Sequence, residues 1–192
     1  HGQSWNPVLP QYAGVTAVAV TQASTAIVYA GLGFRGNIQK SVDGGDTWID
    51  TGLAGPVQLL AASGSTVYAL TSAGLFRSSA GGAWVNIGAG GSSHQGLNGF
   101  IFTIAVDPFD PQVAYAGTST GFFKTTSGGD AWTNVFGYST SVGAVVVAPS
   151  DSSTVFIATS GGLGVTRDGG QTWSQSGLPT GVQAQVATIA ID

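Results

Sequence analysis

The sequence contains no cysteine and no methionine, and because all nine acidic residues are aspartate it contains no glutamate either. Without cysteine the chain can form neither disulfide bonds nor thiolate metal sites. Charged residues make up only 7% of the chain. The five basic residues, which are Arg35, Lys40, Arg77, Lys124 and Arg167, are scattered along it. Because a phosphate backbone is bound by clustered Lys and Arg side chains, we expect no nucleic-acid partner.

Long apolar runs and strong helix formers are also scarce. No stretch approaches the roughly 18 consecutive apolar residues that a membrane-spanning helix requires, so we predict no membrane insertion. The 31 glycines, together with many Ser, Thr, β-branched and aromatic residues, favour strands and turns over helices. Low charge with abundant Ser, Thr and Gly is typical of an extracellular or periplasmic domain, and we expect that location here.

The tryptophans mark an internal repeat. They stand at positions 5, 48, 84, 132 and 173, separated by gaps of 43, 36, 48 and 41 residues. The same pieces precede each of the last four in the same order: an apolar stretch such as "VTAVAVT", a second such as "IVYAGLG", a third such as "NIQKSVD", and a glycine turn. This order predicts four short strands per repeat of about 42 residues.

One such sheet cannot bury both of its faces, whereas sheets stacked around an axis can. We therefore predict an all-β fold, a β-propeller of four-stranded antiparallel blades with about four complete blades and one partial blade. A sandwich or a β-helix is the rival fold. We expect the apolar first and second strands to be buried on both faces. The chain 1–192 is taken as a single domain or a fragment of one, with repeats at approximately 12–52, 53–88, 100–136 and 142–178 and a partial blade from 1–11 and 182–192.

The glycine turn before each tryptophan, here called the tryptophan turn, is most regular in the first and fourth repeats. "SVDGGDTW" (41–48) and "TRDGGQTW" (166–173) both follow the pattern S/T-x-D-x-G-x-T-W. The copies "SSAGGAW" (78–84) and "TTSGGDAW" (125–132) have Ala80 and Ser127 in place of the aspartate. The pattern resembles the Asp-box, or BNR repeat, of sialidases, xyloglucanase-type glycoside hydrolases, sortilin-type receptors and a photosystem II assembly factor. The resemblance implies a propeller blade whose third and fourth strands are joined by this hairpin.

We predict a structural role for the residues of the pattern that the first and fourth repeats share. They are Ser41, Asp43, Gly45, Thr47 and Trp48 in the first repeat and Thr166, Asp168, Gly170, Thr172 and Trp173 in the fourth. Asp and Ser side chains bond turn backbone, Gly adopts positive φ, and Trp covers apolar surface while its indole N–H reaches a carbonyl. The alternative makes Asp43 and Asp168 catalytic or metal-binding. Because other copies lack the acid, we favour the structural role and predict no metal site and no cofactor.

The remaining aspartates are the candidates for a catalytic site of the sialidase or xyloglucanase type. The sialidase resemblance implies three arginines and a Tyr activated by Glu, so the absence of glutamate argues against that activity. The xyloglucanase resemblance, clearest over 105–132, implies a pair of Asp, and an inverting enzyme separates its carboxyls by about 6.5–9.5 Å. The candidates are Asp107, Asp110 and Asp151. They lie in the Pro- and Ser-rich segments "DPFDP" and "APSDSS", where an aspartate is usually a turn former, and we favour that role.

Departures from the repeat are better candidates for function. The insert "GAGGSSHQGLNGF" (88–100) contains His94, and the insert "GFRGNIQ" (33–39) contains Phe34 and Arg35. Loops on a rigid scaffold are frequent binding sites, so these three residues are predicted to form a ligand-binding rim, in which His94 could titrate near neutral pH. The alternative is a pair of ordinary surface loops.

Together these features predict a non-catalytic extracellular binding or scaffold propeller that recognises a protein or a glycan. One alternative is part of a xyloglucanase-type glycoside hydrolase. Another is a self-assembling surface protein, a homo-oligomer paired through open end strands. The chain opens on a last strand, "SWNPVLP", and closes on a first strand, "VATIAID". We expect an excerpt of a longer propeller, with a thin five-bladed ring or edge pairing between copies as alternatives.

Overall fold

Four sheets of four strands make up most of the computed structural model, which describes residues 14–21, 27–33, 36–89, 93–94, 96–137, 139–176 and 189. The first sheet comprises β1 (Val15–Val20), β2 (Val28–Leu32), β3 (Asn37–Ser41) and β4 (Ile49–Ala54). The second comprises β5 (Val57–Ser63), β6 (Thr66–Thr71), β7 (Gly74–Ser79) and β8 (Val85–Ala89). A short hairpin follows, of β9 (Ser93–His94) and β10 (Leu97–Asn98). The third sheet comprises β11 (Ile101–Val106), β12 (Ala114–Thr118), β13 (Phe122–Thr125) and β14 (Thr133–Asn134). The fourth comprises β15 (Val142–Ala148), β16 (Asp151–Thr159), β17 (Gly162–Thr166) and β18 (Ser174–Ser176).

Within each sheet the strands pair antiparallel in sequence order. This order follows from the glycine-rich turns, because short connections join antiparallel neighbours. Residues 1–11, and 182–192 apart from residue 189, lie outside the described part of the chain.

Because neighbouring strands run antiparallel, the connections between strands fall into two groups, which lie at opposite ends of the molecule. The links between first and second strands lie beside the tryptophan turns, as the bond from the Gly128 amide to the Gln112 carbonyl (2.8 Å) shows. We call this the turn end. The links between second and third strands lie at the opposite end beside the links between sheets, where the Ser119 amide donates to the Phe100 carbonyl (2.9 Å). Both inserts belong to this second group, so we call it the insert end.

Burial differs between the first and second strands of a sheet. Every residue of β6 is buried, and four of the five residues of β2 are buried. In β1, by contrast, Val18 is 60% exposed and Val20 is also exposed. The expectation of two-sided burial therefore holds for β2 and β6 and is wrong for β1. Edge position alone does not decide burial, because β15, the first strand of the fourth sheet, is largely buried. Burial depends on what packs against the faces of a strand.

The sheets pack face to face through three apolar clusters. Tyr29, Ile38 and Val57 belong to the cluster shared by the first and second sheets. Leu75 and Trp132 belong to the one shared by the second and third. The third and fourth share a cluster that contains, among others, Tyr115, Phe122, Val145 and Ile157. Each boundary between sheets is thus a hydrophobic core of its own.

Candidate functional site

The tryptophan turn of the first sheet is a closed network of local hydrogen bonds. The Ser41 hydroxyl donates to Asp43 Oδ1 (2.7 Å) and accepts from the Gly45 amide (2.8 Å). The Thr47 amide donates to Asp43 Oδ1 (2.9 Å), and its hydroxyl donates to Oδ2. These bonds from Thr47 and Ser41 hold the pKa of the Asp43 carboxyl well below its usual range. Gly45 has φ of 106°, a conformation that glycine adopts without strain.

The turn of the fourth sheet repeats this network. The Thr166 hydroxyl and the Thr172 hydroxyl both donate to Asp168, at Oδ1 and Oδ2, and lower the pKa of its carboxyl in the same way. The Gly170 amide donates to Thr166 Oγ1 (3.0 Å). The Trp173 indole N–H donates to the Val135 carbonyl of the third sheet (2.9 Å). In the first sheet the equivalent Trp48 indole donates to Gly45, inside its own turn, at 2.9 Å.

The three aspartates considered as catalytic candidates all lie at the turn end as acceptors of turn hydrogen bonds. Asp107 is buried and accepts from the Phe109 amide (2.8 Å) and the Ser152 hydroxyl (2.6 Å). Asp110 accepts from the Gln112 amide (2.9 Å). Asp151 accepts hydroxyls of the next residues, and the bonds from Ser153 and Thr154 lower the pKa of its carboxyl.

The predicted rim residues lie at the insert end, so far as they are described. His94 belongs to β9 and pairs with Leu97 of β10. Phe34 and Arg35 lie outside the described residues. The neighbouring Phe100 is 76% exposed. Its amide donates to Ser119 Oγ (3.0 Å), while the Thr120 hydroxyl donates to the Asn98 carbonyl (2.8 Å). The rim at the third sheet is therefore built from the second insert and the link between β12 and β13.

Among the described residues, two grooves lie between neighbouring sheets. One, of about 490 Å³, lies between the third and fourth sheets and is lined by Phe136, Trp173 and uncharged side chains that include Thr140, Ser160 and Gln175. The Phe136 and Trp173 rings meet edge to face at 5.2 Å between centroids. The second groove, of about 360 Å³, lies between the first and second sheets beside Lys40 and Trp84. In the part of the chain that the structure describes, no His, Asp or Glu side chains form a group of three or more that could hold a metal ion.

A second repeated device, which sequence reasoning missed, links neighbouring sheets at the turn end. A tyrosine on the second strand of a sheet faces a basic residue on the third strand, and both approach the tryptophan turn of the following sheet. The pairs are Tyr29 with Lys40, Tyr68 with Arg77, and Tyr115 with Lys124. We call them donor pairs. The fourth sheet has Phe156 and Val165 at these positions. The recurrence of Tyr and a basic residue in three repeats was the available signal.

Two of the donor pairs have hydrogen-bond acceptors in the following sheet. The Arg77 guanidinium donates to the Ser127 carbonyl (3.2 Å) and the Gly128 carbonyl (2.5 Å), and it lies 3.8 Å from the Asp130 carboxylate. The Tyr68 hydroxyl donates to the Pro111 carbonyl (3.2 Å).

In the next sheet the Lys124 ammonium donates to the Gly169 carbonyl at 2.9 Å, and the Tyr115 hydroxyl reaches the same oxygen at 3.4 Å. Burial raises the pKa of both Tyr68 and Tyr115 to about 12. These donors thus bind carbonyl groups of the following sheet, in its tryptophan turn and, for Tyr68, in the link between its first and second strands.

The architecture is similar to that of several solved structures. YCF48 from Cyanidioschyzon merolae matches 90% of this chain and 59% of its own, with 16% identity and a TM-score of 0.64. PorZ, a surface component of the type-IX secretion system of Porphyromonas gingivalis, matches 87% of this chain and 23% of its own, with 15% identity and a TM-score of 0.61. An ancestral GH74 enzyme matches 62% of this chain and 18% of its own, with 20% identity and a TM-score of 0.51. The chain is a β-propeller.

Each four-stranded sheet is thus a blade of this propeller, and the donor pairs connect one blade to the next. No protein-family model and no curated protein sequence matches the chain. The propeller spans 59% of the YCF48 chain and 18% of the GH74 enzyme. Within its described residues no helix is long and apolar enough to cross a membrane.

Proposed function

We propose that this propeller is a non-catalytic binding or scaffold module of the Asp-box type, which acts outside the cell and recognises a protein or a glycan at its insert end. The observation behind the proposal is that the three candidate carboxylates lie at the turn end, away from the exposed Phe100 ring at the insert end. Phe100 is 76% exposed at the insert end, beside the β9–β10 hairpin. Asp107, Asp110 and Asp151 lie at the turn end and accept hydrogen bonds from their own turns.

The chemistry of the carboxylates supports a binding role over hydrolysis. A general acid for glycoside cleavage needs a raised pKa. The pKa of Asp151 is instead lowered by the Ser153 and Thr154 hydroxyls, which stabilise its charged form. Asp107 already accepts hydrogen bonds from the Phe109 and Asp110 amides and from the Ser152 hydroxyl. A hydroxyl-saturated carboxylate of this kind is a turn former.

The uncharged lining of the groove between the third and fourth blades favours a polar, neutral ligand. Its aromatic side chains, Phe136 and Trp173, are accompanied by hydroxyl and amide groups. Aromatic surface with a few polar groups that fix orientation is typical of ligand-binding clefts. The similar structures add support for a protein partner, because they include YCF48 bound to a D1 peptide and a nidogen–laminin complex. PorZ, described as a bacterial surface component, supports a location outside the cell.

Two exposed phenylalanines provide a matched test. Phe100 is 76% exposed at the insert end, and Phe109 is 67% exposed at the turn end. The wild type, Phe100→Ala and Phe109→Ala are applied to a glycan array and to a displayed peptide library. In parallel, reducing ends released from xyloglucan and mixed-linkage β-glucan are measured. We expect binding without turnover, weakened about tenfold or more by Phe100→Ala, the effect of removing one buried aromatic anchor, and unchanged by Phe109→Ala.

Three results would contradict the proposal. Release of reducing ends that disappears in Asp107→Asn or Asp151→Asn would establish the glycoside hydrolase alternative. Equal loss of binding in both phenylalanine variants would place the ligand away from the insert end. A concentration-dependent increase in mass by light scattering, without binding on either array, would favour the self-assembling surface protein.

A further inference from the structure

The first donor pair differs from the other two because its donors lack good acceptors. The Tyr29 hydroxyl is buried, in a residue only 1% exposed, and has no hydrogen-bond partner among the described residues. The Lys40 ammonium has a single contact there, a long 3.4 Å hydrogen bond to the Gly81 carbonyl. The equivalent Lys124 bond measures 2.9 Å. A buried hydroxyl without a partner is costly, so its presence in one copy of a repeated device calls for a physical explanation.

The tryptophan turn that faces this pair, in the second blade, differs from the other copies. "SSAGGAW" (78–84) is one residue shorter than the other three copies and contains no acid. In the third blade the corresponding turn supplies two carbonyls and the Asp130 carboxylate to Arg77. The shortened turn supplies only the Gly81 carbonyl. The Lys40 ammonium thus has one distant acceptor, at the same turn position as the Gly169 carbonyl that binds Lys124 at 2.9 Å.

The missing acceptor coincides with an open groove. This groove, of about 360 Å³, is lined by Tyr29, Lys40, Ile49, Thr51 and Trp84. The Thr51 hydroxyl is a second buried group without a hydrogen-bond partner in the described chain. Ile49 is exposed, and Trp84 meets Tyr29 edge to face at 6.3 Å between ring centroids. The groove thus combines unused hydrogen-bond donors with apolar surface.

The unused groups select the chemistry of a ligand. The Asp50 carboxylate and the Ser78 hydroxyl, which also line the groove, are engaged with Asn37 and Gly52 and with Gly82. What is left is the Lys40 ammonium, which only donates, and the Tyr29 and Thr51 hydroxyls, which can donate and accept. A carboxylate offers two acceptor oxygens to these groups and forms an ion pair with the ammonium, whereas a neutral sugar hydroxyl cannot form the ion pair. The exposed Ile49 matches the aliphatic part of an acidic side chain.

We propose that the groove between the first and second blades binds a carboxylate side chain of an acidic peptide segment, with the Lys40 ammonium as its principal contact. In this arrangement the ligand supplies the acceptor that the third-blade turn supplies internally to Arg77. A charge-assisted hydrogen bond of this kind is stronger than a neutral one. The groove is at the turn end, so the proposal is independent of the ligand proposed for the insert end.

The probes are two capped tripeptides, acetyl-Gly-Glu-Gly-amide and acetyl-Gly-Gln-Gly-amide, titrated into ¹⁵N-labelled protein and followed by two-dimensional NMR. We expect the Glu peptide to shift the amide signals of Gly81 and Gly82 and the indole signal of Trp84, and the Gln peptide to leave them in place. Lys40→Gln should weaken the Glu peptide at least about tenfold, the effect of losing a charge-assisted hydrogen bond, while Lys40→Arg retains binding.

Lys124→Gln is the matched control, because its ammonium occupies the same repeat position with its acceptor already in place. Phe100→Ala is the control for the insert end, and both variants should bind the Glu peptide as the wild type does. The proposal is overturned if neither peptide shifts these signals, if both peptides shift them equally, or if Lys124→Gln and Lys40→Gln weaken binding alike. Galacturonate, a sugar carboxylate, is titrated as a third probe. If it shifts these signals and the Glu peptide does not, the proposal is also overturned.

Discussion

At the scale of single residues, aspartate acts in this protein mainly as an acceptor inside turns. Asp43 binds the Ser41 hydroxyl and both the amide and hydroxyl of Thr47. The turn of Asp168 has the same pattern. In the third blade Ser127 partly replaces the acid by accepting from the Ala131 amide at 3.1 Å. The acid is thus one of several ways to bind the turn amides.

Asp43→Asn should lower the thermal stability at pH 7, because the amide replaces a carboxylate that accepts three different donors. The lowered pKa of Asp43 means that its stabilising contribution is present above the ordinary Asp pKa of about 3.9 and is lost as pH falls through the lower folded value. The gap between wild type and variant in thermal unfolding should therefore narrow below about pH 4.

Asp46→Asn is the control, since Asp46 is exposed in the same turn and its carboxylate has no hydrogen bond among the described residues. It should leave the melting temperature nearly unchanged at pH 7. Equal losses in the two variants, or a deficit of Asp43→Asn that stays constant down to pH 2, would contradict the hydrogen-bond explanation.

The tyrosines of the donor pairs give a second residue-scale prediction. Tyr68→Phe removes a hydrogen bond to the Pro111 carbonyl and should cost about 1 kcal/mol in the free energy of unfolding. Tyr29→Phe removes a buried hydroxyl that has no partner in the described residues, and it should be neutral or stabilise by up to about 1 kcal/mol. Urea denaturation of both variants tests this, and a loss in Tyr29→Phe as large as that in Tyr68→Phe would contradict it.

At the scale of elements, the distance between blades is set by small residues on the second strands. Gly31 of β2 lies against Val57 of β5, and a Cβ built on Gly31 would overlap the Val57 Cγ1 methyl. Gly117 stands at the equivalent place in β12, where a Cβ would meet the Val142 carbonyl of the next blade. These glycines are required by close approach, because a first strand packs directly on the second strand of the preceding blade.

Gly31→Ala should therefore destabilise the protein by about 1–3 kcal/mol, the usual cost of overpacking a core. Val57→Ala in the same chain should recover part of that loss, which a double-mutant cycle of unfolding free energies measures. Gly143→Ala in β15 is the control, since nothing lies within 4 Å of its Cβ position. A double variant as unstable as the sum of the two single variants would show that the contact does not limit the spacing.

At the scale of the whole molecule, the apolar clusters lie between neighbouring blades, whereas the backbone hydrogen bonds between strands lie within each blade. Leu75 is fully buried in the cluster of the second and third blades, and Ile157 is fully buried in that of the third and fourth. A stack of this kind is stabilised mainly by contacts between nearest neighbours. Local opening should then follow the boundaries between blades.

Leu75→Ala should cost about 2–5 kcal/mol and accelerate hydrogen exchange most in the second and third blades, with a smaller effect in the fourth. Ile157→Ala should shift the effect to the third and fourth blades. Exchange measured by mass spectrometry on peptides from each blade checks both expectations. Uniform acceleration along the chain in both variants would show that the blades open only as a single cooperative unit.

The sequence by itself determined the four-strand repeat, the antiparallel order within each sheet and the residues of the tryptophan turns. These features are local. The hydrogen bonds of Asp43 reach residues two and four positions away, and the apolar stretch that marks a strand is visible within a few consecutive residues. The exposure of β1, by contrast, could not be read from its apolar letters, because burial depends on which elements cover a strand.

Only the tertiary structure decided which donors are satisfied. The acceptors of the donor pairs lie 41 to 54 residues further along the chain, in the turn of another blade. Tyr29, Tyr68 and Tyr115 look equivalent in the sequence, yet two of them donate a hydrogen bond and Tyr29 does not. The reason is geometric, since a partner depends on where the following blade places its carbonyl groups: the Gly169 carbonyl is within reach of Tyr115, whereas the Tyr29 hydroxyl has no partner among the described residues.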